Sequence, residues 1–247
     1  MYLTDNLYPV PNDILLQERK SHMHPIIEDM QMKKIETTME NLRRNNMEAV
    51  FAKDKTEALS YLRGYLSPGC TVGVGGSVTL DEIGALDLLR SGSYNFLDRD
   101  APGLTKEDTK QIFRQSLLAD VYVMSTNAVT ETGALYNVDG NSNRVAALLY
   151  GPDSVVVIAG INKIVPTVAD AVTRVKTVAA PANAARLSCP TPCTRTGKCV
   201  SMMRTGDDEI CSGCASDARI CANYVITGRQ RIPGRIKVIL VATPLGF

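Results

Sequence analysis

Six of the seven cysteines in this 247-residue chain fall between Cys189 and Cys221. They read Cys189-Pro-Thr-Pro-Cys193, then Cys199 after Thr196-Gly-Lys198, then Cys211-Ser-Gly-Cys214, and last Cys221; Cys70 stands far upstream. Soft thiolates at short spacings suit zinc or an iron–sulfur cluster, and in a reducing compartment a disulfide framework is the poorer explanation. Cys211-Ser-Gly-Cys214 is the most ligand-like unit. One zinc or one cubane takes four thiols, so Cys193, Cys199, Cys214 and Cys221 are the candidate ligands, with Cys189 and Cys211 as alternates. The plain alternative is a set of unrelated free cysteines. His22 and His24 sit in a polar amino-terminal stretch and read as surface residues, so no Ser–His–Asp or Cys–His arrangement can be built.

Three further constellations could meet a ligand. Gly73-Val-Gly75-Gly76-Ser77-Val-Thr79 lies between a strand pattern and a helix pattern, where glycines admit an anion to backbone N–H groups and the hydroxyls of Ser77 and Thr79 add donors. Val78 at the third glycine position excludes the dinucleotide fingerprint. Nor is there a Walker loop: Gly197-Lys198 is followed by Cys199 and has Pro192 where the first glycine belongs. A tight turn without a ligand is the alternative. The second constellation runs Ser125-Thr-Asn127-Ala-Val-Thr130-Glu131-Thr-Gly133, then Asn137-Val-Asp139-Gly140 and Asn143-Arg144. Glu131 offers a base or nucleophile and Arg144 a bidentate clamp for a carboxylate or phosphate, although Asn137 to Gly140 is itself a hairpin-turn signal. In the third, Asn162 and Lys163 leave the most strand-like run, and Lys163 is placed to meet a negative ligand or else is a solvated loop lysine.

The elements that must position these residues are strands separated by helices. Short apolar runs at Glu48–Ala52, Thr71–Val74, Asp120–Ser125, Ser154–Ala159 and Ile236–Val241 read as strands. Helical periodicity covers Lys55–Leu66, a start near Thr79, Lys106–Leu118 and Val165–Val178, and Pro25 divides Asp13–Asn45 into two helices. Continuous apolar strands alternating with helices predict an α/β fold, a mainly parallel sheet flanked by helices, with a cysteine-rich insertion (residues 188–222) before the last strand. Residues 1–47 form a helical segment and 48–247 the α/β domain. With 27 basic and 26 acidic residues there is no global field for nucleic acid, and the chain has no Trp for stacking on single strands. No run approaches the ~20 apolar residues of a membrane span. The amino terminus lacks an apolar core for export, so the expected compartment is cytoplasmic.

Gly73 to Thr79, Asn127 to Gly133, Asn137 to Gly140, Asn143 to Leu148 and Asn162 to Val165 resemble the LUD, or lactate-utilisation, domain family. So do Thr191-Pro-Cys193, Thr196-Gly-Lys-Cys199 and Arg219-Ile-Cys221, which resemble its cysteine-rich variant. The resemblance spans roughly Ile35 to Phe247. It implies a fold similar to the sugar-phosphate isomerase and CoA-transferase group, with the glycine loop and the Glu-Thr-Gly loop facing one cleft. It also implies a link to oxidation of lactate or a related 2-hydroxy acid, with iron–sulfur oxidoreductase subunits as partners and a homodimer as a common assembly. On this reading the glycine loop, Arg144 and Lys163 hold a small anionic metabolite and Glu131 transfers protons. An isomerase or acyl-CoA transferase using Glu131, and an accessory subunit with a structural zinc, are the rival readings.

Overall fold

The computed structural model describes residues 24–204 and 209–247; His22 and the first of the two expected amino-terminal helices lie outside the described residues. In chain order come α1 (Pro25–Arg44), β1 (Glu48–Ala52), α2 (Lys55–Gly64), β2 (Thr71–Val74), α3 (Val78–Glu82), α4 (Ala85–Leu89), β3 (Asn95–Phe96), α5 (Lys106–Gln115) and β4 (Val121–Met124). There follow β5 (Ala128–Thr130), β6 (Leu135–Asp139), α6 (Asn143–Leu149), β7 (Ser154–Gly160), β8 (Ile164–Val165) and α7 (Val168–Arg174). A π-helical turn, Val175–Ala179, joins α7 to α8 (Ala180–Arg186). Last are α9 (Cys193–Thr196), β9 (Asn223–Thr227) and β10 (Ile236–Val241). Local chemistry sets the boundaries. Pro25 opens α1, where its missing N–H costs nothing; Asp54 accepts from Glu57 N to cap α2; Thr105 and Asp108 close a capping box on α5.

Six strands form one parallel sheet in the order β1-β10-β7-β4-β2-β3. Both faces are covered, which is why these strands carry unbroken apolar runs. Along β7, Val156 and Ile158 point into a core shared with Leu62 of α2 and Leu80 of α3. The alternate residues Val155, Val157 and Ala159 face Leu42 of α1 and Leu148 of α6. Among the described residues no helix is long and apolar enough to cross a membrane.

A second sheet, β8-β5-β6-β9, was not anticipated from the sequence. The Asn/Thr/Gly-rich stretch expected to turn at Asn137–Gly140 instead supplies β6, antiparallel to both β5 and β9. The tight turn is Glu131–Gly133, closed by Thr130 N donating to Ala134 O at 2.8 Å, with Gly133 at φ 81°. Polar residues sit inside β6 because Arg144 meets them: it donates to Asn137 Oδ1 at 2.6 Å and stands 3.4 Å from Asp139. Val175 and Ala180 pack this sheet's Tyr136 and Val138 into a small core. The cysteine segment therefore leads into β9 of the second sheet, and only then into β10.

Candidate functional site

β7, β4 and β2 are neighbours in the main sheet, and their carboxyl ends deliver Lys163, Ser125 and the glycine loop to one place. After β2 the chain steps outward to β3 and then returns on the other side to β4. That reversal opens a crevice above the strand ends, where ligands of open α/β sheets bind. A cleft of about 250 Å³ lies there, roofed by α8 and the cysteine segment. Gly76, Ser77, Thr79, Asn127, Arg144 and Lys163 from the expected set line it, joined by Ser125, Arg186 and Arg219.

Lys163 forms the floor. Only 3% of the residue is exposed, and Nζ donates to Thr79 Oγ1 at 2.9 Å and Ser125 Oγ at 3.0 Å. Burial pulls its pKa down to about 7, helped by the charges of Arg174 and Arg144 and opposed by Glu82. Arg174 ties the cleft's frame together, donating to the carbonyls of Asn127 (2.7 Å) and Asn162 (3.0 Å).

Arg144 plays a different part from the clamp expected of it. Its terminal nitrogens donate to Ser125 O, Asn137 Oδ1, Asn127 Oδ1 and Val138 O at 2.6–3.2 Å, and Nε lies 3.4 Å from Asp139. With its donors spent on the protein, it gives the cleft positive charge and a rigid wall. Burial lowers its pKa from the ordinary arginine value, against the pull of Asp139.

Several expected site residues lie elsewhere. Glu131 does not line the cleft: its carboxylate stands 3.1 Å from Lys34 Nζ on α1, because the turn after β5 folds toward that helix. Thr130 spends its hydroxyl on Thr132 and Ala134 within the same turn, and Gly133 packs against the α1 backbone. Asn143 lines a separate, open surface hollow beside α5. Asn162 anchors the chain at Leu245 and Gly246. Gly73 is buried inside β2 against Ser116 and Tyr122, and Gly75 against Arg144. His24 is exposed and caps α1 through Nδ1.

A second, mostly apolar cavity of about 30 Å³ adjoins the cleft. Cys193, Cys199, Cys214 and Cys221 all line it, whereas Cys189 and Cys211 do not. Thr191 Oγ1 lies 3.2 Å from Cys193 Sγ, and Ser201 Oγ donates to Cys199 Sγ at 3.4 Å. Arg219 fastens the segment by donating to the carbonyls of Cys211 (2.6 Å), Cys214 (3.2 Å) and Cys221 (2.7 Å). Burial pushes the Cys221 thiol up to about 11, with the Cys199 and Cys193 thiols adding to it. The donor chemistry suits a soft metal, with hydroxyls at two of the sulfurs as supporting partners. The side chains are not drawn together for one, however: among the described residues no three His, Cys, Asp or Glu groups converge as a metal-holding set. Val175, Ala180, Arg219, Ile220 and Cys221 border both cavities.

No curated protein matches the chain. Among solved structures it is similar to the crystal structure of a DUF162 family protein from Deinococcus radiodurans, at 16% identity and a TM-score of 0.48. The match covers 85% of this chain and 98% of that one. The sequence profile of the LUD domain matches residues 35–241. That span takes in both sheets and every cavity-lining cysteine, so the chain belongs to the LUD domain family.

Proposed function

We propose that the cleft binds a small carboxylate of the 2-hydroxy or 2-oxo acid class, and that Cys193, Cys199, Cys214 and Cys221 hold a zinc ion or an iron–sulfur centre. The observation that carries the first part is the charge of the cleft. Arg144, Lys163, Arg186 and Arg219 line it, with no Asp or Glu among the described lining residues. A one-signed wall in a partly enclosed space concentrates an anion of the opposite sign. The volume, about 250 Å³, suits a small acid, and the family's link to lactate utilisation gives the class. Arg186 at the mouth holds the carboxylate, and Arg219, its donors engaged by the Cys211, Cys214 and Cys221 carbonyls, adds positive charge to the wall. Lys163, with the Ser125 and Thr79 hydroxyls, faces the oxygen on the neighbouring carbon.

Calorimetric titration tests this part. Lactate and pyruvate bind, lactamide does not, and Arg186→Gln weakens the acids about tenfold, the effect of one lost charge-assisted contact. Failure of both acids to bind the native chain would sink it. For the thiols, a zinc ion supplies a structural staple and an iron–sulfur cluster supplies electron transfer. Anaerobic purification with metal analysis separates the two: dithionite-bleachable absorbance marks iron, a colourless protein with zinc marks the staple, and Cys214→Ala loses the metal in either case. A metal-free native protein would end this part of the proposal.

A further inference from the structure

Buried lysines usually pair with a carboxylate, since an uncompensated charge out of water is costly. Lys163 does not. Its hydrogen-bond partners are the two neutral hydroxyls of Thr79 and Ser125, and among the described residues no acid forms an ion pair with it. The acid whose charge it feels, Glu82, is occupied in accepting from Gly246 N at 2.8 Å. Arg144 and Arg174, whose charges it also feels, are both held by protein carbonyls and amides. The amine also faces the cleft and is not sealed within the core. Such an amine is an effective nucleophile, because its lone pair is free near neutral pH. The contrast with Lys176 is instructive. That lysine is equally buried but donates to Glu209 O and lines only the thiol cavity.

We propose that Lys163 Nζ is a covalent nucleophile that forms an imine with the carbonyl carbon of a 2-oxo acid bound in the cleft. This rests on the carboxylate-binding reading above and deepens it, since a 2-hydroxy acid has no ketone to attack. The amine lone pair forms the C–N bond and the carbonyl π pair moves to oxygen. The proton leaving nitrogen passes to that oxygen, giving a carbinolamine. A second proton, taken from solvent, lets that oxygen leave as water and the nitrogen lone pair closes the C=N bond; amine, ketone and one proton become a protonated imine and water, and nothing is oxidised or reduced. Ser125 and Thr79, both within 3.0 Å of Nζ, are placed to carry the proton from nitrogen to oxygen. Arg186 keeps the carboxylate away from the amine, so the ketone is the group presented to it. The protonated imine then serves as an electron sink for chemistry at the adjacent carbon.

Trapping tests the proposal on the native chain. Pyruvate with sodium cyanoborohydride converts an imine into a stable secondary amine. The expected result is one carboxyethyl increment per chain, mapped by peptide mass spectrometry to Lys163 and absent with lactate. Lys163→Arg and Lys163→Met both lose the adduct, and circular dichroism with pyruvate titration shows whether either still folds and binds. With Lys163 retained, Ser125→Ala slows trapping at least tenfold at unchanged final yield. Pyruvate that binds calorimetrically but gives no adduct at Lys163 overturns the imine and leaves the carboxylate reading intact. Equal labelling of surface lysines also overturns it. Absence of pyruvate binding overturns both.

Discussion

Replacing Arg144 with Met is expected to cost the fold about 3–5 kcal/mol, the range for leaving buried polar partners without their cation. The side chain is only 13% accessible. It joins five groups that come from two different segments, Ser125 and Asn127 between β4 and β5 and Asn137, Val138 and Asp139 on β6. Met fills most of the volume but satisfies none of them. Two carbonyls lose donors and Asp139 keeps a buried charge whose Oδ2 already has no hydrogen bond. Lys offers a point charge in place of a planar fork and rescues little. Adding Asp139→Asn to the Met variant recovers a part, because it removes the stranded charge. Urea denaturation of the two single variants and the double variant measures this coupling. A loss under 1 kcal/mol for Arg144→Met would show that the network is not the strut of the cleft wall described above.

Gly133→Ala carries the second large effect, and for a backbone reason. A Cβ there would lie 2.4 Å from Asn41 C, 2.5 Å from Asn41 O and 2.6 Å from Leu42 N. These are backbone atoms of α1, with no flexible end to yield. Relief means moving the helix away from the turn, which breaks the bonds from Asn41 Nδ2 to Glu131 O and from Asn45 Nδ2 to Gly133 O, each 2.8 Å. The φ of 81° adds strain of about 1–2 kcal/mol for any L residue. Together the loss is expected at about 3–5 kcal/mol, taking overpacking at its usual cost. Gly69→Ala is the control: φ is 77° with nothing within 4 Å, so only the backbone strain applies. If the two variants unfold at the same urea midpoint, the close approach of turn and helix is not what holds α1.

What was legible in the sequence follows from where the burial is two-sided. β7 and β10 are buried on both faces, so Ser154–Ala159 and Ile236–Val241 announce themselves without knowledge of their neighbours. The carboxyl end of β7 then fixes where Lys163 must come out, as that of β2 does for the glycine loop. The second sheet stayed hidden because β6 carries Asn137 and Asp139 within the strand. Those polar residues are tolerable only beside Arg144, seven and five positions later on a helix. Nothing local predicts that Glu131 meets Lys34, nearly a hundred residues away, or that the turn between β5 and β6 is claimed by α1. Arg186 was missed for the opposite reason. It closes an alanine-rich helix with no motif around it, and only the path of that helix brings it to the cleft mouth.

That path depends on the π-helical turn at Val175–Ala179. α7 and the first residue of the turn present Ala171 and Val175 to the second sheet; beyond the turn, α8 presents Asn183 and Arg186 to the cleft. A turn widened by one residue resets the angular phase of everything downstream, by about 100° at 3.6 residues per turn. The helix is thus two faces spliced out of step, the first cut to fit a sheet and the second to fit a ligand. Winding Val175–Ala179 as ordinary α-helix with no residue removed would rotate Arg186 off the cleft, whereas deleting one residue there would take out the extra residue and leave Arg186 in phase with it.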